Sequence, residues 1–417
     1  MPSSYVSAGA AELGRPGLAL DGGTPLRTTP LPPWPHFAAD EIEAVRVVLA
    51  SGKANYWTGK EGTSFETEFA NYVGTKYAVA LANGSVALEL ALHALGVGPG
   101  DDVVVPARSF LATASCVVLR GARPVFADVD AESGNISAQT LRAALTPNTR
   151  AAIVVHLGGW PCDMDPIMAL AAERGFAVIE DCAQSHGAAY NGRITGSIGH
   201  IGVFSFCQDK IMTTGGEGGM LVTGDSALWA RAWSYKDHGK SYDAVFNREY
   251  PPGFRWLHES FGTNWRMTEM QAAIGRRQLV KLPAWLAARR RHASLLASEL
   301  AGTPGLLVRQ KPPGYADAYY KFYVFLDPSS LAPGWSRQRV IAAVGAEGIP
   351  CGEGSCSEMY LEKAFLDAGL APQERLPVAR ELGETSLIFM VHPTMTERDV
   401  LDTAAAVRKV MAAATAG

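Results

Sequence analysis

The sequence predicts an α/β protein with a mostly parallel seven-stranded sheet flanked by helices and a smaller α/β domain after it. Between about residues 77 and 225, short apolar runs alternate with amphipathic helical stretches. The runs at 77–82, 102–107, 124–129, 151–157, 177–181, 201–206 and 220–223 are rich in Val, Ile and Ala throughout. Continuous rather than alternating apolar strands mark a sheet covered on both faces. A length of 417 residues with 47% hydrophobic content suffices for a large core and two or three domains.

Residues 1–17 are small and weakly patterned, and 18–35 are rich in turns and proline. Residues 1–36 therefore read as an arm, its later part extended over other structure. A helix is expected after Phe37, capped by Asp40, with Ile42, Val45, Val48 and Leu49 on one apolar face. The sheet region belongs to a large domain over 37–283. Beyond it, the stretches 233–242 and 250–256 are aromatic and basic, and Lys236, His238 and Arg255 are candidate ligands for a nucleotide diphosphate. The same stretches read equally well as loops of a dimer interface. An Ala- and Leu-rich helix follows Thr268, and Pro283 is expected to separate it from a second helix carrying Arg289, Arg290 and Arg291. The small domain covers 284–417, with a strand at 321–326 and a terminal helix from Glu397.

Lys+Arg 37 against Asp+Glu 41 gives a net charge of −4, so no basic excess invites nucleic acid or an anionic membrane. The six cysteines are scattered and show no C-x-x-C spacing, which reads as reduced thiols in a cytoplasmic protein. No leader pattern opens the chain and no apolar run is long enough to span a bilayer, so neither secretion nor a membrane is expected.

In a parallel sheet, ligands sit at the carboxyl ends of the strands. The run Phe204-Ser205-Phe206-Cys207-Gln208-Asp209-Lys210 puts a lysine after an apolar strand and before the glycines at 215–219. A desolvated lysine there can lose its proton and condense with an aldehyde, although a surface lysine before a turn fits the same pattern. Asn83-Gly84-Ser85 opens a helix after the first strand, and its free N–H groups suit a phosphate or an ordinary cap. Phe110 follows the second strand, where a ring belongs to the core or stacks on a flat ligand. Asp181 ends the fifth strand. Buried there, it needs a cation or a protonated nitrogen beside it, or else it caps the next turn. His186 is given no role.

Together these segments resemble the DegT/DnrJ/EryC1/StrS family of pyridoxal-phosphate-dependent sugar aminotransferases, of fold type I. The resemblance rests on Asn83-Gly84-Ser85-Val86-Ala87, Asp181-Cys182-Ala183-Gln184, Ser205-Phe206-Cys207-Gln208-Asp209-Lys210 and Gly262-Thr263-Asn264-Trp265-Arg266-Met267. It implies that Lys210 holds pyridoxal 5'-phosphate as a Schiff base and moves protons between substrate and cofactor. It also implies that Asp181 keeps the pyridine nitrogen protonated, Gln184 bonds the phenolic oxygen and Phe110 covers the ring. Ser85, Ser205 and the Gly84 backbone would take the phosphate. Asn264 would reach the phosphate of a neighbouring subunit, which makes the expected assembly a homodimer with shared sites.

The implied reaction moves an amino group from L-glutamate or L-glutamine to a keto group of a nucleotide-linked deoxysugar. A keto-cyclitol is the alternative acceptor. Dehydration of such a sugar is disfavoured, because that activity goes with histidine where Lys210 stands, and a silent regulator lacks any basic extension here. The segment Cys351-Gly352-Glu353-Gly354-Ser355-Cys356-Ser357 departs from the family pattern near the expected substrate position and leaves the acceptor open.

Overall fold

Strand β1 (Tyr77–Leu81) and strands β2 (Asp102–Pro106), β3 (Arg123–Ala127), β4 (Thr149–Val155), β5 (Ala177–Asp181), β6 (Ile201–Ser205) and β7 (Gly219–Thr223) form one sheet in the order β1-β7-β6-β5-β4-β2-β3. This computed structural model describes residues 17–416. All of the loose segment expected at 1–17 except Gly17 thus lies outside the described residues. The pairs β3–β2, β2–β4, β4–β5 and β5–β6 are parallel, whereas β7 runs antiparallel to both β6 and β1. All seven expected strands are present, that at 177–181 unchanged and the others with ends shifted by at most two residues.

Successive side chains along a strand fall into different cores, because the pleat sends them to opposite faces. Val103, Val105 and Ile179 enter one core, while Val104 and Val178 enter another on the opposite side. The uninterrupted apolar runs follow from that two-sided burial.

The helices that position the site are α1 (Ala39–Ser51), α2 (Glu61–Val73), α3 (Gly84–Ala94), α4 (Ala112–Leu119), α5 (Ser226–Lys236), α6 (Glu269–Leu300) and α7 (Glu397–Ala414). Two expectations for α1 are corrected. Its N-cap is Ala38, whose N–H is taken by Glu41 at 2.6 Å, and Asp40 sits in the first turn paired to Lys281 at 2.7 Å. Ile42 and Leu49 are 64% and 57% exposed, whereas Val48 is buried. Buried Glu41, paired to Lys281 at 2.7 Å, turns a different side of α1 toward the protein.

Pro283 does not divide two helices; α6 runs through it for 32 residues. Proline removes one helical N–H, but flanking contacts retain the helix. Leu279, Leu282 and Leu286 pack in the large-domain core under the sheet, and Ala293, Leu296 and Leu300 pack in the core of the small domain. The change of core therefore occurs within one helix, after Leu286.

The small domain joins β8 (Leu306–Leu307), β9 (Phe322–Leu326) and β10 (Ser386–Phe389) as an antiparallel sheet against α6 and α7. The arm lies on it. Glu347 accepts from the N–H groups of Ala19 at 2.9 Å and Leu26 at 3.0 Å, and Arg27 pairs with Asp399 at 2.7 Å and Asp402 at 3.0 Å. No helix among the described residues is long and apolar enough to cross a membrane.

Candidate active site

The connection from β6 to β7 must reverse direction at the carboxyl edge of the sheet, and Lys210 lies on it. Gly215 and Gly216 take φ of 92° and 122°, a region that side chains disfavour, so glycine is needed at this turn. The Lys210 side chain is 17% exposed, with Nζ 3.5 Å from Asp209 Oδ1 and 5.0 Å from the centre of the Tyr320 ring. Its backbone oxygen accepts from the Trp34 indole at 2.9 Å, which ties the arm to the lysine.

Asp181 ends β5 and is 4% exposed. It accepts from the Ala183 N–H at 3.1 Å and the Thr113 hydroxyl at 3.0 Å. Burial pushes its proton affinity above the usual carboxylate range, opposed by those two donors and by the charge of Lys210. Glu180, pointing to the other face, is saturated by His156 at 3.0 Å and by the N–H groups of Gly196, Ile198 and Gly199. Buried Glu180 thus holds the sheet together, and Asp181 is the carboxylate left facing the cavity.

Lys210 and Asp181 line one cavity of about 870 Å³. Gly84, Ser85, Phe110, Gln184 and Ser205 line it as well. At its floor α3 begins: the Asn83 side chain accepts from Val86 N–H at 3.0 Å, and Ser85 is exposed in the first turn. A Cβ on Gly84 would stand 2.6 Å from Ser205 Cβ, so the helix start and the end of β6 meet only because residue 84 is glycine. Free N–H groups and two hydroxyls there form an anion seat. Phe110, 68% exposed, presents its ring at the rim. Gln184 accepts from Gly158 N–H at 2.7 Å and donates to Ser355 Oγ at 3.4 Å. A lysine amine, a buried carboxylate and an anion seat on one cavity fit pyridoxal phosphate, whose aldehyde, pyridine nitrogen and phosphate each find a suitable group.

Four sequence candidates do not line this cavity. Lys236 is fully buried at the end of α5, paired with Glu66 at 2.9 Å and 3.9 Å above the Tyr56 ring, which makes it structural rather than a substrate ligand. His238 is exposed with φ of 59° in the turn after α5, and Arg255 is exposed beside Tyr250 on the following loop. Neither lies at the cavity. Asn264 is exposed too; its backbone bridges Asp237, and its side chain accepts from Arg266 N–H at 3.4 Å.

Other residues also line the wall, and only the 351–357 segment among them carried a sequence signal. Tyr320, Lys321 and Tyr323 come from around β9, and Thr113 comes from α4. Gly354, Ser355 and Cys356 belong to the segment singled out as unusual, and the fold folds it over the same cavity. Ser109 N–H donates to Cys356 O at 3.0 Å, and Ser355 N–H donates to Tyr323 Oη at 3.0 Å. The first bond joins the small domain to the carboxyl edge of the large sheet, and the second holds the segment against β9 within the small domain.

Comparison with known proteins agrees with this geometry. A UDP-N-acetyl-3-dehydro-alpha-D-glucosamine 3-aminotransferase of Acidithiobacillus ferrooxidans is 37% identical over 358 residues, covering 86% of this chain and 90% of that protein. An L-glutamine:2-deoxy-scyllo-inosose aminotransferase of Streptoalloteichus tenebrarius is 35% identical over 418 residues, covering 94% and 97%. The X-ray structure of an aminotransferase from Psychrobacter cryohalolentis superimposes with a TM-score of 0.91 at 53% identity, covering 92% of this chain and all of that one. The profile of the DegT/DnrJ/EryC1/StrS aminotransferase family matches residues 35–408. The chain therefore belongs to that family, the pyridoxal-phosphate-dependent sugar aminotransferases of fold type I.

Proposed function

We infer that this aminotransferase moves an amino group from L-glutamate or L-glutamine to a keto group of a nucleotide-linked deoxysugar, giving an aminosugar. The observation that carries the reading is that Lys210 and Asp181, which are 29 residues apart in sequence, line one cavity with an anion seat between α3 and β6. The Acidithiobacillus relative, which is named for a UDP-linked keto sugar, supports this acceptor class. The scyllo-inosose relative, which spans 94% of the chain, favours a keto-cyclitol as the second reading.

Pyridoxal phosphate, when bound, supplies an electron sink for the carbon that loses a proton. The chain supplies the rest. Lys210 Nζ takes and returns the proton at that carbon, and its anchored backbone fixes where Nζ can reach. The Asp181 carboxylate, held in place by Thr113 and Ala183, would accept from a protonated ring nitrogen and compensate that charge. Gln184 would bond the ring's oxygen, Phe110 would cover the ring, and Gly84, Ser85 and Ser205 would take the phosphate. Asn264, exposed and away from its own cavity, contributes to the site of a second copy, so the enzyme works as a homodimer. The absence of a spanning helix among the described residues accords with a cytoplasmic setting.

The test has two parts. The purified protein should be yellow, and Lys210→Ala should lose the visible absorbance; an unchanged spectrum contradicts the lysine assignment. Protein loaded with amine is then mixed with keto sugars and keto-cyclitols, and return of the original spectrum identifies the acceptor. Discharge by a cyclitol alone overturns the nucleotide-sugar reading.

A further inference from the structure

Behind the catalytic cavity, sharing Lys321 and Tyr323 with it, lies a smaller chamber of about 30 Å³. That is room for one water molecule or one small ion. Arg108 forms its inner wall. This arginine is 2% exposed, and among the described residues nothing accepts from its Nε or Nη2. Its guanidinium lies 5.0 Å from the centre of the Tyr323 ring and 5.7 Å from that of Phe325. Aromatic faces attract a cation but leave in-plane N–H groups unsatisfied.

Two carboxylates line the chamber, Glu132 and Asp317, and neither accepts from Arg108 Nε or Nη2. Arg309, stacked 3.7 Å from the Phe325 ring centre, gives Nη1 to the Glu132 carbonyl at 3.0 Å. Lys311 is paired with Asp317 at 3.0 Å. Lys321 has Met390 Sδ, a weak acceptor, at 3.2 Å. Arg337, the charged neighbour that acts on Arg108 with Tyr323, has the same sign and is paired with Glu353 at 3.0 Å. Burial pushes the Arg108 guanidinium down from its ordinary range, and the like charge of Arg337 acts in the same direction.

We propose that this chamber binds one small monovalent anion, a halide or a terminal carboxylate, held by the Nε–H and Nη2–H groups of Arg108 and by the charges of Arg309 and Lys321. A planar fork of donors suits a carboxylate and also encloses a halide. The bound anion fixes Arg108 against Tyr323, and Tyr323 Oη in turn holds Ser355, which meets Gln184. Anion binding thus stiffens the wall of the catalytic cavity that the small domain provides.

Crystals of the cofactor-loaded enzyme soaked in sodium bromide should show an anomalous peak between Arg108 and Arg309. In solution, replacing sodium gluconate by sodium bromide at equal ionic strength should raise Tm by about 1–3 °C, and Arg108→Met should abolish the shift. If that variant does not fold, Arg309→Met on the opposite wall must reduce it. Addition of L-glutamate separates the sources: loss of the peak assigns the site to a substrate carboxylate, and a retained peak assigns it to a halide. No peak, or a peak with no Tm shift because bromide binds at crystal concentration only, overturns the proposal.

Discussion

Placing a methyl group on Gly84 tests the phosphate seat where the packing is tightest. In Gly84→Ala the new Cβ would stand 2.6 Å from Ser205 Cβ, 3.0 Å from its Oγ and 3.1 Å from its Cα. Ordinary carbon contacts begin near about 3.5 Å, so α3 and the end of β6 must separate by about 1 Å. Overpacking of this kind costs about 1–3 kcal/mol, which is about 5- to 150-fold in an equilibrium constant. The cost divides between stability and cofactor affinity, because opening the seat relieves the clash while moving the N–H groups away from the phosphate. Two measurements capture it: the Tm of the cofactor-free variant and the dissociation constant for pyridoxal phosphate. Removing the opposing side chain supplies the control, since Gly84→Ala with Ser205→Gly should recover part of the loss beyond the sum of the single effects. A Gly84→Ala enzyme that melts and binds cofactor like the wild type would refute the assignment of this contact as the seat.

Other perturbations separate reaction from scaffold. Asp181→Asn should keep the fold but lower the rate of the amine half-reaction by about 10- to 150-fold, through loss of a charge-assisted bond, as read by stopped-flow absorbance. Lys236→Met should lower stability by about 3–5 kcal/mol by stranding Glu66, with KM for the acceptor unchanged in the folded fraction; a raised KM without a stability loss would restore its substrate role. For Glu180, burial alone would raise the carboxyl pKa, but the His156 bond and charge and the N–H groups of Gly196 and Gly199 outweigh it and hold it below 4.5. A depressed folded pKa means stability that is present above the unfolded value near 4.5 and lost as pH falls through the folded one. Tm should therefore drop as pH falls below about 4.5, and drop less steeply in Glu180→Gln.

The large sheet was legible because each strand is buried on both faces, which writes a local apolar run into the sequence. Lys210, Asp181 and Gly84 were legible for a related reason: Asp181 ends β5, and Gly84 and Lys210 lie in the connections that follow β1 and β6, where small and polar residues interrupt the apolar run. The errors came from segments whose environment is set from afar. Lys236 looked like a ligand because basic and aromatic residues cluster around it, but Glu66 from α2 claims its charge. Pro283 looked like a break because helix propensity is local, whereas α6 is held by core contacts on both sides of that proline. Ile42 and Leu49 had helical spacing, yet buried Glu41 decides which side of α1 faces the protein.

The wall built by the small domain shows why the acceptor could not be read from the motifs. The motifs around Gly84, Asp181 and Lys210, which are proposed to hold the cofactor, line the cavity from the large domain's carboxyl edge. The groups facing the rest of the cavity, Tyr320, Lys321, Tyr323 and Ser355, come from β9 and the 351–357 segment, more than 100 residues after Lys210. Their placement depends on how the two domains meet, and many long-range contacts hold that meeting, among them α6 shared by both cores, the Trp34 indole on the Lys210 carbonyl, and the Ser109–Cys356 backbone bond. A substitution at any of these should move the wall relative to the lysine without touching either. The reacting end of the enzyme is thus fixed within one domain, while the choice of acceptor is a property of the junction between two.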